Sequence, residues 1–205
     1  MKHVRRDAAE QNTVRLIGGR WRGRKIHFTD GEGLRPTPSR VRETLFNWLM
    51  HEVRDARVLD LYAGSGALAF EALSRGAAGA VLVEHAREAV SAIRQNARSL
   101  EAEKLIEVLP MKVDRALAKV GRVGGLFAIV FLDPPYADVA APAFAQVLSA
   151  AAGLVAPAGA LVLEHASSDA APAAPLLDFD RSRRYGDTTL SLYRAPIRPS
   201  GECAV

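Results

Sequence analysis

From residue 57 onward the chain alternates strand-length apolar runs with helix-length amphipathic ones, and no other feature restricts its fold as strongly. Residues 58–61, 80–84, 106–109, 127–132 and 160–164 are the apolar runs. Residues 67–75, 86–100, 113–120 and 141–152 carry helical spacing between them. A repeated strand–helix–strand rhythm predicts a parallel sheet with helices on both faces. Such sheets bind ligands at the carboxyl ends of their strands. The rhythm breaks at the end. Residues 179–185 and 188–194, joined by Gly186-Asp187, predict a closing antiparallel hairpin.

Ahead of this core, residues 14–17 read as a strand, Gly18-Gly19 as a hairpin turn and residues 21–28 as the returning strand. Residues 30–33 are a loop. Thr37 and Pro38 suit a helix start, with Thr37 as cap. Val41, Leu45, Trp48 and Leu49 share one face of that helix, which is predicted to run to Val53. The domain plan is therefore a disordered start over 1–12, a hairpin-and-helix extension over 13–54, an α/β domain over 55–195 and a loose tail over 196–205.

Charge divides the chain in the same place. Residues 1–54 hold 12 Lys+Arg against 6 Asp+Glu, whereas residues 55–205 hold 15 against 17. A basic extension on a near-neutral body suggests a polyanion contact. The single cysteine, Cys203, excludes an internal disulfide, and five scattered histidines show no metal-ligand spacing. No metal is expected. The uncharged stretch 139–163 is long enough to span a bilayer, but Pro142, Gly153, Pro157 and Gly159 break it. A cytoplasmic protein without a membrane span is expected, as a monomer.

Two motifs carry chemistry. Asp60-Leu61-Tyr62-Ala63-Gly64-Ser65-Gly66 is a strand end followed by a glycine turn, with Gly64 for the bend and Gly66 for close ligand approach. Glu84 follows Gly64 by 20 residues, the distance at which an acid reaches a ribose diol. Asp60 beside the turn suits the ammonium of S-adenosylmethionine and would repel the pyrophosphate of a dinucleotide. The cofactor set is thus Asp60, Tyr62, Ala63, Gly64, Ser65, Gly66 and Glu84.

The second motif, Asp133-Pro134-Pro135-Tyr136, directly follows the run 127–132. The Asp133 carboxylate and the Pro134 carbonyl can each accept an N–H of an exocyclic amine, while Tyr136 stacks on the ring. Two prolines, Pro134 and Pro135, stiffen the turn. These four residues predict methylation of an amino group on a flat base.

Several blocks resemble a known family. They are Arg15 to Lys25 (RLIGGRWRGRK), Leu34 to Thr37 (LRPT), Arg40 to Leu49 (RVRETLFNWL), the Asp60 to Gly66 loop, Glu71 to Gly76 (EALSRG) and Asp133 to Tyr136. The sequence resembles, over most of residues 14–194, the bacterial methyltransferases that form N2-methylguanine in 16S rRNA, the guanine-966 type. The resemblance implies a Rossmann-like class I S-adenosylmethionine-dependent fold with a seven-stranded sheet. It also implies a partner in the small ribosomal subunit or its assembly intermediate. Two positions depart. Ala86 stands where the family often has a second acid, and the region after the third strand offers Asp114 in place of an Asp/Asn-Ala pair.

Arg15, Arg20, Arg22, Arg24, Lys25, Arg35, Arg40 and Arg42 form the candidate RNA face. The same arginines can instead brace the cleft, and Trp21 can stack on a base or fill the hairpin core. DNA adenine-N6 methylation and a non-catalytic RNA-binding assembly factor are the competing readings. The first is disfavoured by the absence of a target-recognition domain, the second by the survival of the glycine loop, Glu84 and Asp133.

Overall fold

Burial decides which apolar runs become strands. In the computed structural model, which describes residues 12–28, 37–123, 125–139 and 141–197, the run Phe127–Leu132 is a strand whose Phe127, Ile129, Val130, Phe131 and Leu132 are at most 1% exposed. Each such side chain contributes about 1.5–3 kcal/mol by leaving water. In chain order the elements are β1 (Thr13–Arg15), β2 (Lys25–His27), α1 (Ser39–Trp48), β3 (Arg57–Leu61), α2 (Ala67–Ser74), β4 (Gly79–Glu84), α3 (Arg87–Ser99), β5 (Ile106–Pro110), α4 (Val113–Val123), β6 (Phe127–Leu132), α5 (Tyr136–Val139), α6 (Phe144–Ala152), β7 (Val155–Ala166), β8 (Asp178–Tyr185) and β9 (Thr188–Arg194).

The seven-stranded sheet has the order β5-β4-β3-β6-β7-β9-β8. Strands β3 to β7 pair in parallel, and β9 runs antiparallel to both β7 and β8. The order reverses direction between β3 and β6. That switch point opens a crevice at the carboxyl ends of those two strands. One core lies beneath α1, α2, α3 and the N-terminal hairpin, the other beneath α4 and α6.

The strands of the sheet match the sequence expectation closely, while β7 is longer, reaching from Val155 to Ala166. The uncharged stretch 139–163 resolves into the end of α5, α6 and most of β7. No helix among the described residues is long and apolar enough to cross a membrane. Helix α1 ends at Trp48 rather than near Val53, because residues 50–55 turn to meet α2: Asp55 N–H bonds to the Gly76 carbonyl. Thr37 does not cap it. Pro38 is the N-cap residue, without a side-chain bond.

The hairpin differs most. Its strands are three residues each, and the connection spans residues 16–24 rather than Gly18-Gly19 alone. Tertiary contacts with α2 pull it open. Trp21 N–H and Arg20 N–H bond to Ser74 Oγ (2.9 Å) and Ser74 O (2.8 Å), and Ser74 Oγ donates to the Gly18 carbonyl at 2.5 Å. Gly19, at φ +70°, approaches so closely that a Cβ there would lie 1.8 Å from Ser74 O. Trp21 is 8% exposed and fills the core rather than offering a face to a base. Arg35 and the loop 30–33 lie outside the described residues, as do residues 1–11 and 198–205 of the expected termini.

Candidate active site

Parallel register builds the site. Leu61 pairs with Val83 and Leu132, and Leu132 pairs with Leu163. The next residue on each strand, Tyr62, Glu84, Asp133 and Glu164, therefore falls in one row at the carboxyl edge. Side chains alternate along a strand. Leu82, Phe131 and Val162 face the α1–α2 core, so Glu84, Asp133 and Glu164 turn to that same side. Asp60 does too, and its Oδ2 accepts the Ala69 N–H of α2 at 3.1 Å.

The glycine turn follows directly. Tyr62, Gly64 and Gly66 have positive φ of 64°, 53° and 76°. Gly66 also has no room for a side chain: a Cβ would lie 2.8 Å from the Phe70 ring. Ala63 and Ser65 are buried at 8% exposure each. Glu84 braces this turn. Its Oε2 accepts Gly64 N–H at 2.9 Å, and its Oε1 accepts the N–H of His85 (2.7 Å) and Ala86 (2.8 Å). Three of the carboxylate's roughly four acceptor positions are thereby used. The expected grip on both ribose hydroxyls narrows to one further strong bond. The same geometry answers the Ala86 departure, because Glu84 takes up the backbone donor at the start of α3, which has no side-chain cap.

Asp60 is 1% exposed. Burial pushes its carboxyl up to about 8 against the pull of the Ala69 N–H, and the charges of Asp133 and Glu84 push the same way. Asp114, exposed in the first turn of α4, stands near enough to Tyr62 that burial first, then Asp138 and Asp114, raise the Tyr62 phenol.

Asp133 lies at the crevice, with Pro134 buried behind it and Pro135 exposed. Tyr136 opens α5, is 40% exposed, and its hydroxyl makes a short hydrogen bond with that of Thr188 on β9. Thr37 Oγ1 donates to Asp133 Oδ2 at 3.1 Å. Burial raises the Asp133 carboxyl, and burial together with the Asp133 charge raises that of Glu164. Thr37, Glu164 and Thr188 were absent from the sequence-derived site. For Glu164 a signal existed, since an acid closes the apolar run 160–164 as Glu84 closes the run 80–84. The two threonines carried none, because one precedes a helix and the other follows a turn.

Of the candidate RNA-facing residues, Arg15, Arg20, Arg22, Arg24, Lys25 and Arg40 are exposed. Arg20 lies over the Trp21 ring at 4.2 Å, and Arg24 donates to the Ser99 carbonyl at 2.6 Å. Arg42 is a correction. At 1% exposure it donates to Thr37 O (3.2 Å) and Arg15 O (3.0 Å), and it stands 3.5 Å from Glu71 of α2. It braces the cleft, because it shares the buried face of α1 with Val41, Leu45 and Phe46.

A seven-stranded sheet ending in an antiparallel hairpin, with a glycine turn after β3 and an acid ending β4, defines the class I methyltransferase fold. The chain belongs to the family described as Conserved hypothetical protein 95, whose model matches residues 14–194. It is 48% identical over 123 residues to the Ribosomal RNA small subunit methyltransferase D of Escherichia coli strain K12, a match covering 60% of each chain. The protein of the same name from Haemophilus influenzae is 41% identical over 123 residues, 60% of this chain and 64% of that one. The matched part thus spans less than two thirds of these curated relatives. Solved structures are matched more fully. The Escherichia coli protein yhhF superposes with a TM-score of 0.78 at 37% identity, over 91% of this chain and 99% of that one. A hypothetical protein from Thermus thermophilus gives 0.74 at 34%, over 90% and 99%.

Proposed function

We propose that this chain transfers a methyl group from S-adenosylmethionine to the exocyclic N2 of a defined guanine, the 966-type position of 16S rRNA, in the small ribosomal subunit or its assembly intermediate. The observation that carries the reading is the placement of Asp133-Pro134-Pro135-Tyr136 in the same strand-end row as the glycine turn and Glu84.

The cleft fits a cationic cofactor. Burial first, and then the charges of Asp133 and Glu84, raise the Asp60 carboxyl, and this cluster of acids favours a ligand that brings positive charge. Gly64 leaves that part of the turn without a side chain, while at Gly66 the Phe70 ring takes the space a side chain would need. Asp60 would meet the ammonium, and Glu84 one ribose hydroxyl. Tyr62 and Asp114 would flank the adenine. When bound, the cofactor supplies a methyl group already activated on a sulfonium.

The chain's own residues do the rest. Asp133 and the Pro134 carbonyl accept the two N–H groups of the amine, which aims its lone pair at the methyl carbon. These acceptors act by position and by electrostatics already in place before reaction. Tyr136 stacks on the base, a contact worth about 1–3 kcal/mol that does not choose between bases. Thr37, held through its carbonyl by Arg42, keeps Asp133 oriented. Arg15, Arg20, Arg22, Arg24, Lys25 and Arg40 neutralise phosphates, and Arg35 is assigned the same role from the sequence alone. A cytoplasmic monomer completes the proposal.

Labelled methyl transfer to assembled small subunits, naked 16S rRNA and duplex DNA tests it, with the product nucleoside identified by mass. N2-methylguanosine in ribosomal RNA is the expected product. N6-methyladenosine, or no transfer to any of the three, would overturn the reading.

A further inference from the structure

Guanine and adenine differ most beside the exocyclic amine. On guanine, N2 is flanked by the ring N1–H, so that edge carries three N–H donors. On adenine, N6 is flanked by a bare N1, which is an acceptor, and the edge carries two donors. Asp133 and the Pro134 carbonyl answer two donors and leave the third unread. Tyr136 stacks on either base. A site with these groups alone would treat the two bases alike.

Glu164 supplies a third acceptor in the right place. Leu132 and Leu163 are register partners, so Asp133 and Glu164 end neighbouring parallel strands, roughly 4.8 Å apart. Phe131 and Val162 both face the α1–α2 core, which turns the two acids to that same side. Glu164 is 9% exposed. Across β7 and β9 it pairs with Leu190, an apolar core residue that offers its carboxyl nothing. The Thr37 and Thr188 hydroxyls are near enough to favour its charged form slightly. Each is engaged elsewhere, Thr37 as a donor to Asp133 and Thr188 with the Tyr136 hydroxyl. Among the described residues Glu164 has no hydrogen bond or ion pair of normal geometry. A buried acceptor left without a donor is costly, and at the edge of a cleft a ligand can meet it.

We propose that Glu164 selects guanine: its carboxyl accepts the ring N1–H while Asp133 and the Pro134 carbonyl accept the two N–H groups of N2. This rests on the function proposed above. Three acceptors then face three donors. Adenine in the same position would set the N1 lone pair against the carboxylate and leave Glu164 without a donor. A site built to hydrogen-bond a group discriminates strongly against an analogue that lacks it.

The surroundings agree with a role completed by ligands. Burial first, and then the Asp133 charge, hold the Glu164 carboxyl above the usual carboxylate range. The N1–H of guanine and the positive charge of the cofactor both favour the ionised form, which can only accept.

The test uses small subunits reconstituted with guanine or 2-aminopurine at the target position. 2-Aminopurine keeps the exocyclic amine but has a lone pair in place of N1–H, and it lacks O6. Single-turnover transfer to each is measured for wild type, Glu164→Ala, Glu164→Met and Glu164→Gln, with cofactor binding followed by calorimetry. Wild type is expected to methylate guanine about tenfold to a hundredfold faster, the fold-change of a hydrogen bond to a charged group. The alanine and methionine variants should bind cofactor as wild type does and lose most of that preference by slowing on guanine. The glutamine variant, whose amide oxygen still accepts, should keep part of it. The missing O6 is common to every enzyme, so it cancels when the preferences are compared. A guanine preference in the alanine and methionine variants equal to that of wild type overturns the role of Glu164 and leaves the proposed function standing. Absence of N2-methylguanosine from the wild-type reaction overturns both.

Discussion

Glu71 and the Asp133–Glu164 pair are carboxyls on the same side of the same sheet, and they are surrounded in opposite ways. Glu71, fully buried on α2, accepts from Ile17 N–H, Gly18 N–H and Arg75 Nε at 2.8 Å each, with Arg42 at 3.5 Å. Three donors meet it, one of them the Arg75 cation, and the Arg42 cation stands beside it without a hydrogen bond. Asp133 and Glu164 face one another, two threonine hydroxyls and further acids. The first arrangement ties the N-terminal hairpin to the domain. The second leaves an unmet demand for positive charge. Structural burial of charge is satisfied by its surroundings, whereas a site leaves its charge for a ligand to satisfy.

Four measurements put this contrast at risk. Asp133→Ala should lower single-turnover transfer by about 10²–10³-fold or more, the scale for losing a preorganised polar contact in a transition state. Cofactor affinity by calorimetry should stay near wild type, and a near-normal rate would remove Asp133 from the chemistry. Glu71→Ala should act on folding instead. Leaving Arg42 and Arg75 without their carboxylate is expected to cost about 3–5 kcal/mol in denaturant unfolding. A variant as stable as wild type would show that the Ser74 bonds and the apolar contacts hold the hairpin without Glu71.

Glu84→Ala falls between the two. It should weaken cofactor binding by about 1.5–3 kcal/mol, the scale for a hydrogen bond to a charged group. Unchanged affinity would confine Glu84 to bracing the turn. The smallest effect concerns Asp60. With its carboxyl raised to about 8, the folded state holds a proton that the unfolded chain gives up at ordinary carboxylate pH. Stability should therefore decline as pH rises through that window. A cofactor ammonium needs the ionised form, so binding near pH 7 should release a proton and tighten toward pH 8, by at most tenfold per unit. Calorimetry in two buffers of different ionisation enthalpy reads that proton directly. Identical apparent enthalpies would mean that Asp60 does not meet the ammonium.

Much of this was legible in the amino-acid order. The strand Phe127–Leu132 and the closing hairpin could be read because a strand's period is local and apolar runs have few alternatives. The glycine turn, Glu84 and Asp133 could be read because each lies at a strand end, and strand ends in a parallel sheet share one edge. The hairpin connection was misread because its geometry is set by Ser74 and Glu71, more than fifty residues away. Arg42 was misplaced for the same reason. An arginine in a basic run looks solvent-facing until α2 supplies a buried carboxylate.

Local order was enough to dictate a parallel sheet with a glycine turn and an acid-bearing strand end, because side-chain period and backbone freedom are properties of neighbouring residues. Which acids stand together was settled by the fold alone. Register carried Glu164 to Asp133 from another strand, and the lead-in to α1 brought the Thr37 hydroxyl to the same pair. Proximity of that kind follows from packing across the sheet, and no local pattern in the sequence encodes it.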